Sequence, residues 1–483
     1  MLLPPYIKTY HGNYSIYFLY AKVFISQIYD TICFPKGNSI GGVFLYQLKR
    51  GGSVLSKVKT GGYSAEAVAG FDHRTAMEEA ARCLLCHDAP CSEGCPAGTN
   101  PGDFIRAIRF RNPKGAAEII RENNVLGGSC ARVCPYDRLC EEACSRCGID
   151  RPIEIGKLQR YAIEQEKAYG MKTLRPARGR KKGNVACIGA GPASLACAAE
   201  LAKAGYAVTI FEREQKAGGV LTYGITPARL PQKVVDWDIR AVKGLGVKFE
   251  FGKEIGKKTN AKDLLKNQGF DAVFIGAGLW KSSLPGVPGE NLKNVITAVS
   301  FLKKARTSGG YKAMNGKKVV VIGGGDVAMD CATTAKLSGA ADVQIWYRRS
   351  LAEAPANMDE VAYALSLGIT MSQNFAPKAF KGKDKLESAE FKGRDGKSEA
   401  KVACDYVVLA IGQQAEDVTG IDAGMAIVNK GCIKARKDGK TGVPGVFAAG
   451  DITNGGKTVV EAVAAGKEAS ASIIAYLSKK GGK

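Results

Sequence analysis

Nine cysteines crowd into the stretch from Cys83 to Cys147, and their spacing restricts what this chain can fold around. The first group runs Cys83-x2-Cys86-x4-Cys91-x3-Cys95-Pro96. The second runs Cys130-x3-Cys134-Pro135 and continues to Cys140, Cys144 and Cys147. Intervals of two to five residues let thiolates turn back onto one metal centre. Zinc takes four ligands, commonly from paired C-x2-C units. A run that closes on Cys-Pro is nearer the cubane ferredoxin pattern, where the last cysteine serves the other cluster. Two such runs supply ligands for two [4Fe–4S] clusters, with a structural zinc module as the alternative. The other six cysteines (Cys33, Cys187, Cys197, Cys331, Cys404, Cys432) stand singly in apolar patterns and read as small buried hydrophobes.

Three histidines in 483 residues leave little room for Ser-His-Asp or histidine-zinc catalysis. The formal charge of +23 suggests an RNA-binding protein. However, the basic residues are spread along the chain and no RNP-type aromatic strand accompanies them, so no nucleic-acid partner is expected. The most apolar early stretch, Tyr14–Tyr29, is interrupted by Lys22, Ser26 and Gln27 and lacks the pattern of a secretory signal. The expectation is a cytoplasmic protein with reduced thiols and no membrane partner.

Texture divides the chain. Residues 1–62 hold seven tyrosines, seven Lys or Arg and one acid, Asp30, without persistent periodicity; they read as an unassigned, disordered extension. Residues 63–182 are helical and cysteine-studded, ending in the basic linker Met171–Gly183. Beyond it short apolar strands alternate with alanine-rich helices, the pattern of doubly wound parallel sheets. The fold expected is α/β, an all-helical double-cluster domain followed by two Rossmann-like domains. The boundaries expected are 183–290 and 405–483 for an FAD domain, with a nicotinamide domain at 291–404 inserted into it.

Two loops carry the nucleotide chemistry. Strand Val185–Ile188 leads into Gly189-Ala190-Gly191-Pro192-Ala193-Ser194 and a helix, and the next strand ends in Glu212. This is the dinucleotide fingerprint in strand–loop–helix context. Its glycines let the backbone approach a pyrophosphate, and its acid suits a ribose hydroxyl. The second, Val319–Ile322 followed by Gly323-Gly324-Gly325-Asp326-Val327, leads to a strand ending in Arg348-Arg349. Arginine there suits the 2′-phosphate of NADPH, the alternative being two solvated surface residues with NADH as substrate. Late in the chain, Thr441–Thr453 (TGVPGVFAAGDIT) delivers Gly450-Asp451 to a helix start and resembles the second flavin motif of two-dinucleotide flavoproteins. Asp271–Gly278 and Asp405–Gly412 are a matched pair expected to form the two crossings between domains.

The order of parts resembles the glutamate synthase small-subunit group. The strings Glu79–Cys91 (EAARCLLCHDAPC), Phe110–Asn124 (FRNPKGAAEIIRENN) and Ile153–Arg160 (IEIGKLQR) resemble the electron-input half of dihydropyrimidine dehydrogenases. The resemblance implies one cluster on Cys83, Cys86, Cys91 and Cys144, and another on Cys95, Cys134, Cys140 and Gln159; Cys130 and Cys147 match no ligand. It implies FAD contacts at Gly189, Ala190, Gly191, Pro192, Ala193, Ser194, Glu212, Gly219, Arg229, Ile255, Gly450, Asp451 and Thr458. Nicotinamide contacts fall at Gly324, Gly325, Asp326, Val327, Arg348, Arg349 and Gly412. It implies hydride transfer from NAD(P)H to FAD and relay through two clusters to an FMN-containing partner subunit that reduces uracil or thymine. No side chain is required as nucleophile or general base. Service to glutamate synthase or to a ferredoxin-linked NADPH oxidoreductase is the alternative within the group.

Overall fold

The computed structural model describes residues 62–481 apart from residues 180, 257, 419, 422 and 423. The expected extension at 1–62, with Cys33, lies almost wholly outside the described residues. Helices come first. They are α1 (His73–Ala81), α2 (Pro101–Arg109), α3 (Pro113–Asn123), α4 (Gly127–Val133) and α5 (Ile155–Ala168). Two start alike: Asn100 and Asn112 accept the N–H of Asp103 and Gly115, and proline fills the first helical position where no N–H is needed. Phe104, Ile105, Ile108, Ile120, Ile155 and Leu158 form the shared core of these helices.

A five-stranded parallel sheet follows: β1 (Asn184–Ile188), β2 (Ala207–Glu212), β3 (Lys248–Phe251), β4 (Ala272–Ile275) and β15 (Val446–Ala448), in the order β15-β4-β1-β2-β3. Helices α6 (Pro192–Lys203) and α7 (Gln232–Gly244) lie between its strands in the chain, and α11 (Val459–Gly481) closes the chain. A second sheet contains β6 (Val295–Thr297), β7 (Lys318–Ile322), β8 (Asp342–Tyr347), β9 (Thr370–Gln373) and β13 (Tyr406–Leu409), in the order β6-β13-β7-β8-β9. It carries α8 (Ala298–Ser308), α9 (Asp326–Leu337) and α10 (Met358–Ser366). Because β15 returns to the first sheet after the second is complete, the second Rossmann-like unit is inserted in the first.

The expected boundary at 404/405 is corrected. Tyr406–Leu409 pairs with Val319–Ile322 on one side and Val295–Thr297 on the other, so it belongs to the inserted sheet. The matched segments likewise do not form the crossings. Val273, Phe274, Val407 and Val408 are fully buried, and strands of that kind need neighbours on both edges. The crossing itself is the antiparallel ribbon of β5 (Lys281–Ser282) and β14 (Gln413–Gln414). Strands β10 (Phe375–Lys381), β11 (Ser388–Gly393) and β12 (Glu399–Ala403) form a separate antiparallel sheet that the sequence reading missed. It packs through Phe391, stacked 4.0 Å from Trp346 of β8.

The helical domain is fastened to the first sheet's domain by a fully buried arginine. Arg121 of α3 pairs with Asp238 of α7 at 2.6 Å and with Glu166 of α5 at 2.7 Å. Asp238 in turn accepts the N–H and hydroxyl of Ser129, both at 2.7 Å, capping α4 from the neighbouring domain. Removing one partner of such a cluster strands two buried carboxylates, which costs about 3–5 kcal/mol. Arg121→Met is therefore expected to lower the denaturation midpoint strongly. Arg74→Met, which breaks an exposed pair with Glu78, should change stability by less than about 1 kcal/mol.

Candidate functional site

Each first glycine of the two loops crowds the backbone at the end of the adjacent central strand. Gly189 has φ +87°, and a Cβ on it would lie 2.9 Å from the carbonyl oxygen of Gly276, just beyond β4. Gly323 has φ +146°, and its Cβ would lie 2.3 Å from the carbonyl of Ala410, just beyond β13. Only glycine tolerates both the backbone and the approach. At the second glycine of the first loop, Gly191, a Cβ would meet nothing nearer than 3.8 Å, which leaves the loop face open to a ligand. A Cβ on Gly219, φ +54°, would lie 2.9 Å from the Cα of Gly191.

These loops open into one cavity of about 1250 Å³, above the 300–1000 Å³ typical of single small-ligand sites. The structure brings to it Gly189 through Ala193, Glu212, Gly219, Arg229, Ile255, Asp451 and Thr458 from the first unit. Gly324, Gly325, Asp326, Val327, Arg348, Arg349 and Gly412 face it from the second. Ser194 and Gly450 lie beneath the lining. The buried Ser194 hydroxyl packs against Gly276, and Gly450, φ +81°, has room for no Cβ against Ala193. A cavity of this size with two glycine loops fits two dinucleotides.

Electrostatics distinguish the loops. Glu212 accepts the N–H of Ala190 at 2.7 Å and of Glu214 at 2.9 Å, while burial pushes its carboxyl above the usual range. Asp451 is likewise pushed up by burial and accepts the N–H of Lys457 at 3.1 Å. Arg348 and Arg349 stand exposed at the end of β8 without a carboxylate partner among the described residues. Arg229, expected at the flavin, pairs with two carboxylates of the inserted domain, Asp330 at 2.8 Å and Glu360 at 2.6 Å.

The thiols fall into two neighbourhoods. Cys83, Cys86, Cys91 and Cys144 line one small cleft, with Ile105, Ile153 and Ile155 behind them. Burial, with the neighbouring Cys144, Cys83 and Cys86, pushes the Cys91 thiol up to about 11. Cys95, Cys134 and Cys140 form the other. Cys134 is half-buried, and its thiol is pushed up by the neighbouring Cys130, by burial, and by Cys140 and Cys95. Gln159 reaches the same helix but donates its amide to the carbonyl of Gly127 at 2.8 Å. Cys147 is exposed. Among the described residues no three His, Cys, Asp or Glu side chains close onto a point for a single ion. The all-thiol first set has the donor chemistry of a cubane cluster. The buried hydroxyl of Thr99, four residues beyond Cys95, has no hydrogen-bond partner among the described residues.

Two lining residues escaped the sequence reading. Val133 and Pro135, on either side of Cys134, face the dinucleotide cavity. The Cys-Pro motif marked a ligand run, yet which wall that run would face is set by the docking of α4 on Asp238.

Residues 61–171 match a family model described as dihydropyrimidine dehydrogenase domain II, 4Fe-4S cluster, and residues 183–466 match one described as pyridine nucleotide-disulphide oxidoreductase. The NAD-dependent dihydropyrimidine dehydrogenase subunit PreT of Escherichia coli K12 is 43% identical over 415 residues, covering 86% of this chain and 97% of that protein. The chain belongs to the PreT subunit family. The glutamate synthase [NADPH] small chain of Halomonas elongata is 33% identical over 86% of this chain and 93% of its own. FprA of Mycobacterium tuberculosis, solved in complex with NADPH, superposes with a TM-score of 0.54 at 18% identity. It covers 62% of this chain and 86% of that one, a likeness of fold. The chain is thus an NAD(P)H-dependent flavin and iron–sulfur oxidoreductase, with FAD, nicotinamide dinucleotide and [4Fe–4S] clusters as its cofactors. Among the described residues no helix is long and apolar enough to cross a membrane.

If Cys83, Cys86, Cys91 and Cys144 share a cluster, Cys86→Ser in the reconstituted chain should reduce bound iron by about four atoms and leave the flavin absorbance unchanged. Loss of flavin together with iron would contradict that grouping.

Proposed function

We propose that this chain is the electron-input subunit of a dihydropyrimidine dehydrogenase, taking electrons from NAD(P)H and passing them to an FMN-containing partner that reduces uracil or thymine. The observation that supports this most is the single cavity that joins both nucleotide loops to the flanks of Cys134. FAD held here would supply acceptance of one hydride, two electrons, from NAD(P)H and their release one at a time to [4Fe–4S] clusters. The residues supply position. Gly189–Ala193 would hold one pyrophosphate, Glu212 would accept from its ribose, and Asp451 with Thr458 would hold the ribityl chain. Gly324–Val327 would do the same for the nicotinamide nucleotide. Val133 and Pro135 line the cavity beside Cys134, so a cluster held by Cys95, Cys134 and Cys140, with Gln159 as the remaining ligand by family resemblance, would lie on the flavin side. No residue of the first thiol set faces this cavity. On this reading the relay would run from flavin to a cluster at Cys134, then to one at Cys83, and out to the partner.

The E. coli relative is named NAD-dependent, but the unpaired Arg348 and Arg349 favour a 2′-phosphate here. A charge-assisted hydrogen bond contributes about 1.5–3 kcal/mol. Replacing both arginines by serine should therefore lower kcat/KM for NADPH at least about tenfold and leave NADH within about twofold. Equal effects on both would remove the arginines from this role.

The purified holoprotein is expected to reduce ferricyanide with NAD(P)H and to leave uracil unchanged, with uracil reduction restored by an FMN-containing partner. Uracil consumption by this chain alone would refute the assignment.

A further inference from the structure

The last helix, α11, belongs to the flavin unit, yet one of its lysines is fixed in the iron–sulfur domain. Lys467 donates to the carbonyl of Ala97 at 2.6 Å and to that of Asn123 at 2.7 Å. Ala97 is 2% exposed and sits in the turn closed by the N–H of Gly98 on the carbonyl of Cys95, at 2.9 Å. The ammonium is thus held against the turn that presents Cys95. It forms no ion pair among the described residues. Lys203, at the same joint, provides a contrast: it donates to the carbonyl of Glu122 at 2.8 Å, but Glu200 neutralises it at 2.8 Å.

We propose that Lys467 is a positioning and tuning residue whose unpaired charge raises the reduction potential of the Cys95, Cys134, Cys140 cluster. The proposal rests on the reading of those cysteines as ligands of the flavin-proximal cluster. A reduced cubane carries one more negative charge than an oxidised one. A fixed cation outside its sulfurs therefore stabilises the reduced state, and net charge and burial are the protein's means of setting such potentials. The same group clamps the α11 helix to the Cys95 turn, so the cation and the cluster keep a fixed separation. Its effect is to make the first one-electron step out of the flavin more favourable. Lys467 does not line the dinucleotide cavity.

The test is an EPR-monitored redox titration of the holoprotein, with iron counted first. Lys467→Met and Lys467→Gln should each lower the potential of one cluster, so that its reduced-to-oxidised ratio at a given potential falls about tenfold, 59 mV for a one-electron couple. The Gln variant keeps an amide donor for a carbonyl, which separates charge from anchoring if the Met variant folds poorly. Lys467→Arg and Lys203→Met should leave both potentials in place. Unmoved potentials in the Gln variant, or an equal shift in Lys203→Met, would overturn the proposal with eight irons still bound per chain. Four irons in the wild-type holoprotein would instead overturn the two-cluster reading, and this proposal with it.

Discussion

The buried guanidinium of Arg121 is the point from which the rest of the molecule is positioned. It brings three helices from two domains to one spot, because among the described residues Glu166 and Asp238 form ion pairs with no other cation. Asp238 then caps α4 through Ser129, and α4 carries Cys130 and ends at Cys134. Burial of such a cluster adds little net stability, but its geometry is exacting, since any rotation of the helical domain would leave charges unpaired. What the charge cluster sets is register: among the described residues, the cysteine-rich segment meets the dinucleotide cavity at Val133 and Pro135.

A second constraint works inside the sheets. Gly189 and Gly323 repeat one solution in both units, a left-handed glycine pressed on the carbonyl that follows the neighbouring central strand. Close packing there moves each loop aside and opens the face above it. The ribbon of β5 and β14 carries the chain across between the two sheets, so their loops open into a shared space. Arg229, reaching from the flavin unit to Asp330 and Glu360, ties the two walls of that space together.

Much of this was legible in the chain. The strands read at Val185–Ile188 and Val319–Ile322 are present, because four consecutive buried apolar residues leading into glycine have few alternatives. The doubly wound class and the insertion followed from the order of the motifs. The failures have physical causes. Tyr406–Leu409 matched Ala272–Ile275 in pattern, and pattern alone does not say which sheet a buried strand joins. Strands β10–β12 alternate weakly and are interrupted by Pro377, so periodicity gave no signal. Asp238 and Lys467 gave no signal in the sequence, because their partners lie more than 100 positions away. Gln159 came from family resemblance, and no spacing rule would have found it.

The central claim is the order of the relay, flavin to the Cys134 neighbourhood before the Cys83 neighbourhood. It is tested most directly by rapid-freeze EPR of the Cys86→Ser holoprotein mixed anaerobically with NAD(P)H. If the order is right, the remaining cluster is reduced as fast as in the parent, because the cluster beside Val133 and Pro135 is untouched. A reduced flavin beside a cluster that stays oxidised would contradict it.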